Sequence, residues 1–161
     1  AYNNFLVTRE NYVNDAGNQI NILAKSLFLR YREVCENKII EIPAGFYPGE
    51  YLIPIAEELQ QIHGNKYLAQ TEREYLNDFR DFAVTSMLKL IKENLAELNI
   101  KHDIYFSEQS LHSEGAIEKV IEKLAIKGNN YRGILPKPKG LDNPDWEAKE
   151  QLLFKAKSEL Q

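Results

Sequence analysis

Two separate segments of the sequence share one pattern, in which a short β-prone run is followed by a polar loop and then by an amphipathic helix. The first has an apolar run at residues 5–8, a polar loop that extends through Asn14, and a helix that starts near Gly17. The second has an apolar run at residues 104–106 and a helix at about residues 114–127. A strand, a loop and a helix in about thirty residues form half of a βαβ unit. The pattern therefore predicts an α/β fold.

The region between these two segments is predicted to be helical. Residues 37–49 contain two prolines and two glycines and are typical of a connector. A helix is predicted over residues 51–62, and Pro54 leaves the position of its first turns open, because proline fits an early helical position but breaks an interior one. After a second connector at residues 64–71, the longest helical pattern starts at Glu72. Its apolar side chains recur at helical intervals, at Phe79, Phe82, Ala83, Met87, Leu90, Ile91, Leu95 and Leu98.

Several element ends can also be predicted from single residues. Asp15 is expected to cap the first helix and Ser113 to cap the helix at residues 114–127, because their side chains accept hydrogen bonds from free helical N–H groups.

Residues 131–135 could form an edge strand. After a proline-rich stretch, residues 146–160 are expected to form a last helix, anchored by Trp146, Leu153 and Phe154.

Composition limits the class of partner. A net charge of −4 gives no general attraction for nucleic acid, so RNA contacts would need a local cluster of lysine and arginine. The three histidines lack metal-ligand spacing, and we expect no metal site. The single cysteine, Cys35, cannot form an internal disulfide, and no apolar run approaches the ~20 residues needed to span a bilayer. We therefore expect a cytoplasmic protein without membrane association.

The polar residues after the two strands are the candidates for a binding site. The amides between Asn14 and Gln19 lie at a helix start, where backbone N–H groups favour a negatively charged ligand. Glu108 follows an apolar strand, where α/β folds usually bind ligands, and could pair with a guanidinium through two charge-assisted hydrogen bonds. The simpler interpretations are a capped helix start and a solvated loop glutamate. The sequence has no GxGxxG, GxxxxGK[ST] or GxSxG motif that would favour a phosphate loop or a serine hydrolase.

A resemblance to a known family covers nearly the whole chain in the same order. Residues 8–31, with the core Tyr-Val-Asn-Asp-Ala-Gly-Asn-Gln, resemble the segment that follows the HIGH motif in class I arginyl-tRNA synthetases. Residues 46–51 resemble the Tyr-x-Gly-Glu-Tyr element of that family's connective-peptide insertion, and residues 82–100 resemble its return helix. Residues 102–111 resemble the strand and loop that re-enter the nucleotide-binding fold. Residues 128–154 are similar to a bacterial subgroup.

The resemblance implies a partial Rossmann-type fold, as in class I synthetases, that carries a helical insertion. Residues 1–36 would form the first part of the Rossmann-type domain and residues 37–99 the insertion. Residues 100–135 would return to the Rossmann-type domain, and residues 136–161 would form a proline-rich loop and a C-terminal helix.

The same resemblance assigns roles to the candidate site residues. Glu108 matches the family acid that recognises the guanidinium of the substrate arginine, and Asn14, Asp15 and Gln19 match the border of the arginine pocket. Gly17 matches the border of the nucleotide pocket. No side chain of this chain is expected to be catalytic, because the reaction depends on aligning the reactants and stabilising charge on the phosphates.

The family reaction implies L-arginine, ATP with Mg²⁺ and tRNA(Arg) as substrates of the whole enzyme. The chain contains no HIGH-type and no KMSKS-type sequence. We therefore expect a fragment of such an enzyme, inactive alone, with no tightly bound cofactor. We also expect a monomer that does not bind DNA. The alternative is a stand-alone, non-catalytic binding module derived from the synthetase.

Overall fold

The computed structural model describes residues 4–137 and 147–155, which fall into two compact units divided after Gln109. The first unit contains β1 (Glu10–Val13), α1 (Asn18–Glu36), α2 (Leu52–His63), a short 3-10 helix (Lys66–Ala69), α3 (Glu72–Glu97) and β2 (Ile104–Ser107). The short helix α4 (Glu108–Ser113) follows β2 directly. The second unit then contains α5 (Ala116–Ile126), β3 (Asn130–Ile134) and β4 (Glu150–Phe154). The architecture is a mixed α/β fold with two small sheets.

The first sheet is a parallel pair, in which β1 lies beside β2 with Glu10 opposite Ile104 and Val13 opposite Ser107. The predicted strand at residues 104–106 is confirmed, but the strand predicted at residues 5–8 is wrong. Those residues are exposed and irregular, and the strand lies at Glu10–Val13 instead. The reason is that apolar content marks β propensity only, whereas a strand forms where a partner provides its hydrogen bonds.

Helices α1, α2 and α3 surround the hydrophobic core of the first unit, as their predicted apolar spacing indicates. The fully buried residues include Leu27 and Tyr31 of α1, Leu52 of α2, Phe79 of α3 and Ala83 of α3. The ring of Phe79 lies 5.1 Å from that of Tyr67 and 5.5 Å from that of Tyr31, both edge-on. Edge-on contacts between rings add to the stabilisation from burial itself.

Local residues set both ends of α2 and the start of α3. Pro54 is the third residue of α2, a position that leaves the helical hydrogen bonds intact. Gly64 ends α2 with φ 57°. Helix α3 begins after Thr71, whose backbone N–H donates to Glu74 Oε2 at 2.7 Å, and this contact lowers the pKa of the Glu74 carboxyl.

The connector between α1 and α2 is held by polar side chains of α1. The buried Ser26 hydroxyl donates to Ile22 O at 2.7 Å and accepts from Tyr47 N at 2.9 Å. Arg30 Nη2 donates to Pro48 O at 2.6 Å. These contacts fix the segment that carries the Tyr-x-Gly-Glu-Tyr element against α1.

The second unit departs from the sequence predictions at two places. Ser113 does not cap α5; it ends α4, and its hydroxyl donates to Ser110 O at 3.1 Å. Helix α5 begins after Gly115, whose φ of 62° separates the two helices. A non-glycine residue rarely adopts such a φ. The boundary between the two helices therefore falls at the glycine and not at the serine.

The predicted edge strand is confirmed as β3, which pairs in antiparallel fashion with β4. The predicted C-terminal helix at residues 146–160 is therefore wrong over Glu150–Phe154, which form a strand. Leu153 lies opposite Tyr131 of β3. The apolar run at Leu152–Phe154 suits a strand as well as a helix, and the available partner decides between them. Trp146 and residues 156–160 lie outside the described residues.

Candidate functional site

The candidate site lies at the edge of the parallel sheet where both strands end. Because Val13 is paired with Ser107, the next residues, Asn14 and Glu108, leave the sheet side by side. Neighbouring strands are about 4.8 Å apart, so the two loops start within reach of one ligand. Asn14 is exposed and Glu108 is half-buried. The structure thus brings together two of the predicted site residues that are far apart in the sequence.

Asp15 connects the two loops. Its backbone N–H donates to Val13 O at 3.0 Å in a tight turn. Its Oδ1 accepts a hydrogen bond from the backbone N–H of Gln109 at 2.8 Å. The expectation that Asp15 caps α1 is therefore wrong, and Gly17 occupies the capping position without a side-chain hydrogen bond. The carboxylate is instead directed to the start of α4.

A second carboxylate makes the same kind of contact at the opposite end of the strand pair. Asp103 Oδ2 accepts a hydrogen bond from Arg9 N at 2.7 Å, just before the paired residues begin. Both contacts join residues that are 94 positions apart in the sequence. The parallel pair is thus held by a carboxylate at each end.

The carboxylates of Glu108 and Asp15 act on a neighbouring phenol. The pKa of the Tyr12 phenol is raised, first by desolvation and then by the negative charges of Glu108 and Asp15. The ring of Tyr12 stacks on Phe106 across the strands, with 6.2 Å between ring centroids. The phenol therefore lies in the field of both carboxylates, and the same field attracts a cation.

The start of α1 adds backbone donors to this edge. Gly17 has φ 83°, a conformation that side chains rarely adopt, although an added Cβ would meet nothing within 4 Å. Glycine is therefore needed for conformation and not for space. Gln19 is exposed in the first turn of α1. Gly17 and Gln19 thus lie within four residues of the Asn14–Asp15 turn.

Sequence reasoning missed the contribution of α3. A pocket of about 220 Å³ is lined by Asp15, Gln109 and three polar residues of α3, which are Arg80, Asp81 and Thr85. These residues lie on a helix with apolar side chains on several sides, so the sequence does not show which polar group approaches the sheet. Only the packing of α3 against α1 reveals it.

A larger pocket, of about 360 Å³, also borders the first loop. Asn14 and Tyr12 line it together with Tyr47, Tyr51 and apolar residues of α1 and α3. The Tyr-x-Gly-Glu-Tyr element therefore lies close to the candidate site.

Across residues 4–137 and 147–155, no three His, Cys, Asp or Glu side chains are grouped so that they could hold a metal ion. None of the helices in this part of the chain has the length and apolar content that crossing a membrane requires.

Comparison with known proteins finds sequence similarity along almost the whole chain. The chain is 51% identical over 152 residues to the arginine–tRNA ligase of Rickettsia felis. It is 47% identical over 158 residues to that of Allorhizobium ampelinum, a match that covers 97% of this chain. The chain is homologous to a segment of arginine–tRNA ligases. It spans about a quarter of these relatives, 26% of the former and 27% of the latter.

A solved structure supports the same homology. A crystal structure from Campylobacter jejuni, named as a candidate arginyl-tRNA synthetase, matches 78% of this chain with a TM-score of 0.68 and 35% identity. The match covers 27% of that chain. No family model matches the sequence. The homology to arginine–tRNA ligases therefore rests on whole-sequence similarity and on the fold.

Proposed function

We propose that this chain forms part of an arginine–tRNA ligase and supplies the amino-acid side of its active site. The whole enzyme would activate L-arginine with ATP and Mg²⁺ and transfer it to tRNA(Arg). The observation that carries the proposal is the position of Glu108. It follows a parallel strand at the edge where Asn14 also emerges, in a negative field that Asp15 shares. The long similarity to named arginine–tRNA ligases supports the same assignment.

In this proposal, Glu108 accepts the guanidinium of L-arginine. The guanidinium is planar and always charged, and its N–H groups match the two oxygens of a carboxylate. Asn14 and Gln19 border the remainder of the amino acid, Asp15 lies next to them at the start of α4, and Gly17 borders the nucleotide pocket. ATP would supply the phosphoanhydride that activates the substrate carboxylate. The residues of this chain bind and orient arginine, and none of them acts as a nucleophile.

The fold and the domain divisions belong to the same proposal. The parallel β1–β2 pair would be part of a Rossmann-type sheet, with residues 1–36 and 100–135 on either side of an insertion at residues 37–99. Parallel strands need a long crossover, which the three helices α1–α3 provide here. The protein would be a cytoplasmic monomer.

Arginine titration tests the role of Glu108. The amide spectrum of the ¹⁵N-labelled chain is recorded during addition of L-arginine, and shifts are expected at Asn14, Gln19 and Glu108. Glu108→Gln should weaken binding by roughly 10- to 100-fold, because it removes a charge-assisted hydrogen bond. Glu10→Gln, an exposed glutamate at the far end of β1, is the matched control and should bind normally.

Two results would contradict the proposed pocket. One is equal affinity of the wild type and Glu108→Gln for L-arginine. The other is equal binding of L-citrulline, which is close in shape to arginine but lacks its charge. Neither result depends on catalysis by the isolated chain.

The activity of the isolated chain needs a separate assay. We expect no arginine-dependent ATP–pyrophosphate exchange, because the chain supplies only one side of the pocket. Measurable exchange by the purified chain would refute this expectation.

A stand-alone binding module is the second candidate, and the continuous match to one segment of longer enzymes disfavours it. An antibody raised against the chain distinguishes the two in the source cells. A product far larger than 18.7 kDa supports the synthetase, whereas a product of 18.7 kDa supports the module.

A further inference from the structure

The contact between Asp15 and Gln109 has a consequence for the neighbouring residue, Glu108. Gln109 is the second residue of α4, and Glu108 is the first. When Asp15 Oδ1 accepts the Gln109 N–H at 2.8 Å, it fixes the backbone at the point from which the Glu108 side chain leaves the sheet. A hydrogen bond to a carboxylate is shorter and stronger than one between neutral groups.

The same contact occupies one oxygen of Asp15. The turn at Val13–Asp15 holds the backbone of Asp15, through a hydrogen bond of 3.0 Å from Asp15 N to Val13 O. The carboxylate is therefore anchored on one side by β1 and engaged on the other side by α4. It is half-buried, whereas Asn14 beside it is exposed.

We propose that Asp15 is a positioning residue, which places the Glu108 carboxylate for arginine by holding the Gln109 N–H. It does so without contacting the substrate. The inference rests on the proposed function, since it assigns Asp15 an indirect part in the pocket of Glu108. Small displacements of a binding group are costly, because affinity for a two-point ligand requires both oxygens to be in place.

Direct contact between Asp15 and arginine is the competing explanation, and the two make different predictions for asparagine. Asparagine keeps an oxygen that can accept the Gln109 N–H but carries no charge. If Asp15 positions Glu108, Asp15→Asn should retain most of the arginine affinity that Asp15→Ala loses. If Asp15 pairs with a cationic group of arginine, both substitutions should lose affinity equally.

The strand pair itself offers a matched control. Asp103 makes an equivalent contact, to Arg9 N at 2.7 Å, at the opposite end of the same two strands. Each strand rises about 3.3 Å per residue, so this contact lies roughly 13 Å or more from Glu108. Asp103→Ala should loosen the pair at that end but leave arginine affinity unchanged.

The experiment uses the full 161-residue chain and two readouts. The first is the exchange rate of the Gln109 amide hydrogen, which reports the contact whether or not arginine is present. Asp15→Ala should raise this rate by about tenfold or more, and Asp15→Asn by less. The second is the dissociation constant for L-arginine. It should rise by about tenfold in Asp15→Ala, with partial rescue in Asp15→Asn and no change in Asp103→Ala.

The outcomes separate this inference from the proposed function. If Asp15→Ala binds arginine as the wild type does, or if Asp15→Asn is as weak as Asp15→Ala, Asp15 is not a positioning residue. The inference is also overturned if the Gln109 amide exchanges equally fast in wild type and Asp15→Ala. If the wild type binds no arginine, the proposed pocket fails. Asp15 would still be shown to order the turn if the Gln109 amide hydrogen exchanges slowly in the wild type and faster in Asp15→Ala.

Discussion

Raising the pH above 10 should weaken the helical core through two buried phenols. The Tyr31 hydroxyl donates to Gly64 O at 2.6 Å, and the Tyr67 hydroxyl donates to Asp78 Oδ2 at 2.9 Å. Burial raises the pKa of Tyr31 to about 12. Burial, followed by the Asp78 carboxylate, raises the pKa of Tyr67 to about 12. In the folded chain both phenols therefore keep their protons at a pH where the unfolded chain has lost them.

The sign and size of the effect follow from proton linkage. A pKa raised on folding stabilises the folded state fully below the unfolded value of 10.0, and this stabilisation is lost as the pH rises through about 12. One pKa unit corresponds to about 1.4 kcal/mol, so each tyrosine contributes roughly 2–3 kcal/mol. The two together equal a large part of the ~5–15 kcal/mol that stabilises an ordinary domain.

Urea unfolding at pH 9, 10, 11 and 12, followed by far-ultraviolet circular dichroism, measures this loss. Tyr67→Phe removes one of these two phenols, so its stability should fall less than that of the wild type between pH 9 and pH 12, by roughly 2–3 kcal/mol. Tyr131→Phe, which removes a phenol that is 50% exposed on β3, should keep the full decrease. Equal pH dependence in wild type and Tyr67→Phe would refute the reasoning.

Two further substitutions test how the core and the connector are held. Phe79→Ala should lower the free energy of unfolding by about 3–5 kcal/mol, because Phe79 is fully buried among rings, whereas Phe154→Ala at an exposed position should change it by less than about 1 kcal/mol. Urea midpoints measure both, and a small loss in Phe79→Ala would contradict the packing. Ser26→Ala should cost about 1–3 kcal/mol, because it leaves the Tyr47 N–H without its acceptor. The half-buried Ser86→Ala is its control, and equal midpoints for the two would show that the connector does not depend on Ser26.

Helices were the elements that the sequence predicted best, because their signals are local and repeated. The predicted starts near Gly17, Tyr51 and Glu72 fall within a residue or two of α1, α2 and α3. Strands were less predictable, since their existence depends on a partner. Residues 5–8 have the stronger β propensity, yet residues 10–13 form the strand, because β2 pairs with them.

The places of the candidate site residues were predictable only where they follow from position along the chain. Glu108 was identified because it comes directly after the predicted strand at residues 104–106, and Asn14 because it lies in the polar loop before the first helix. Asp15 was assigned to the nearest helix, α1, because capping is a local rule, but its carboxylate bonds a residue 94 positions away. Arg80 could not be found at all, since its place beside Asp15 depends on which face of α3 approaches the sheet.

The geometry of the candidate site depends on the helical core, although the two are distinct in sequence. Parallel strands cannot be joined by a tight turn, so the register of β1 and β2 is set by the crossover between them. That crossover is α1, α2 and α3, and their buried rings fix where the chain returns at β2. The two carboxylate contacts, at Asp15 and Asp103, then hold the strand ends in that register. Glu108 therefore acquires its position from the whole first unit, and a short peptide containing the β2 loop should not reproduce the geometry of the candidate site.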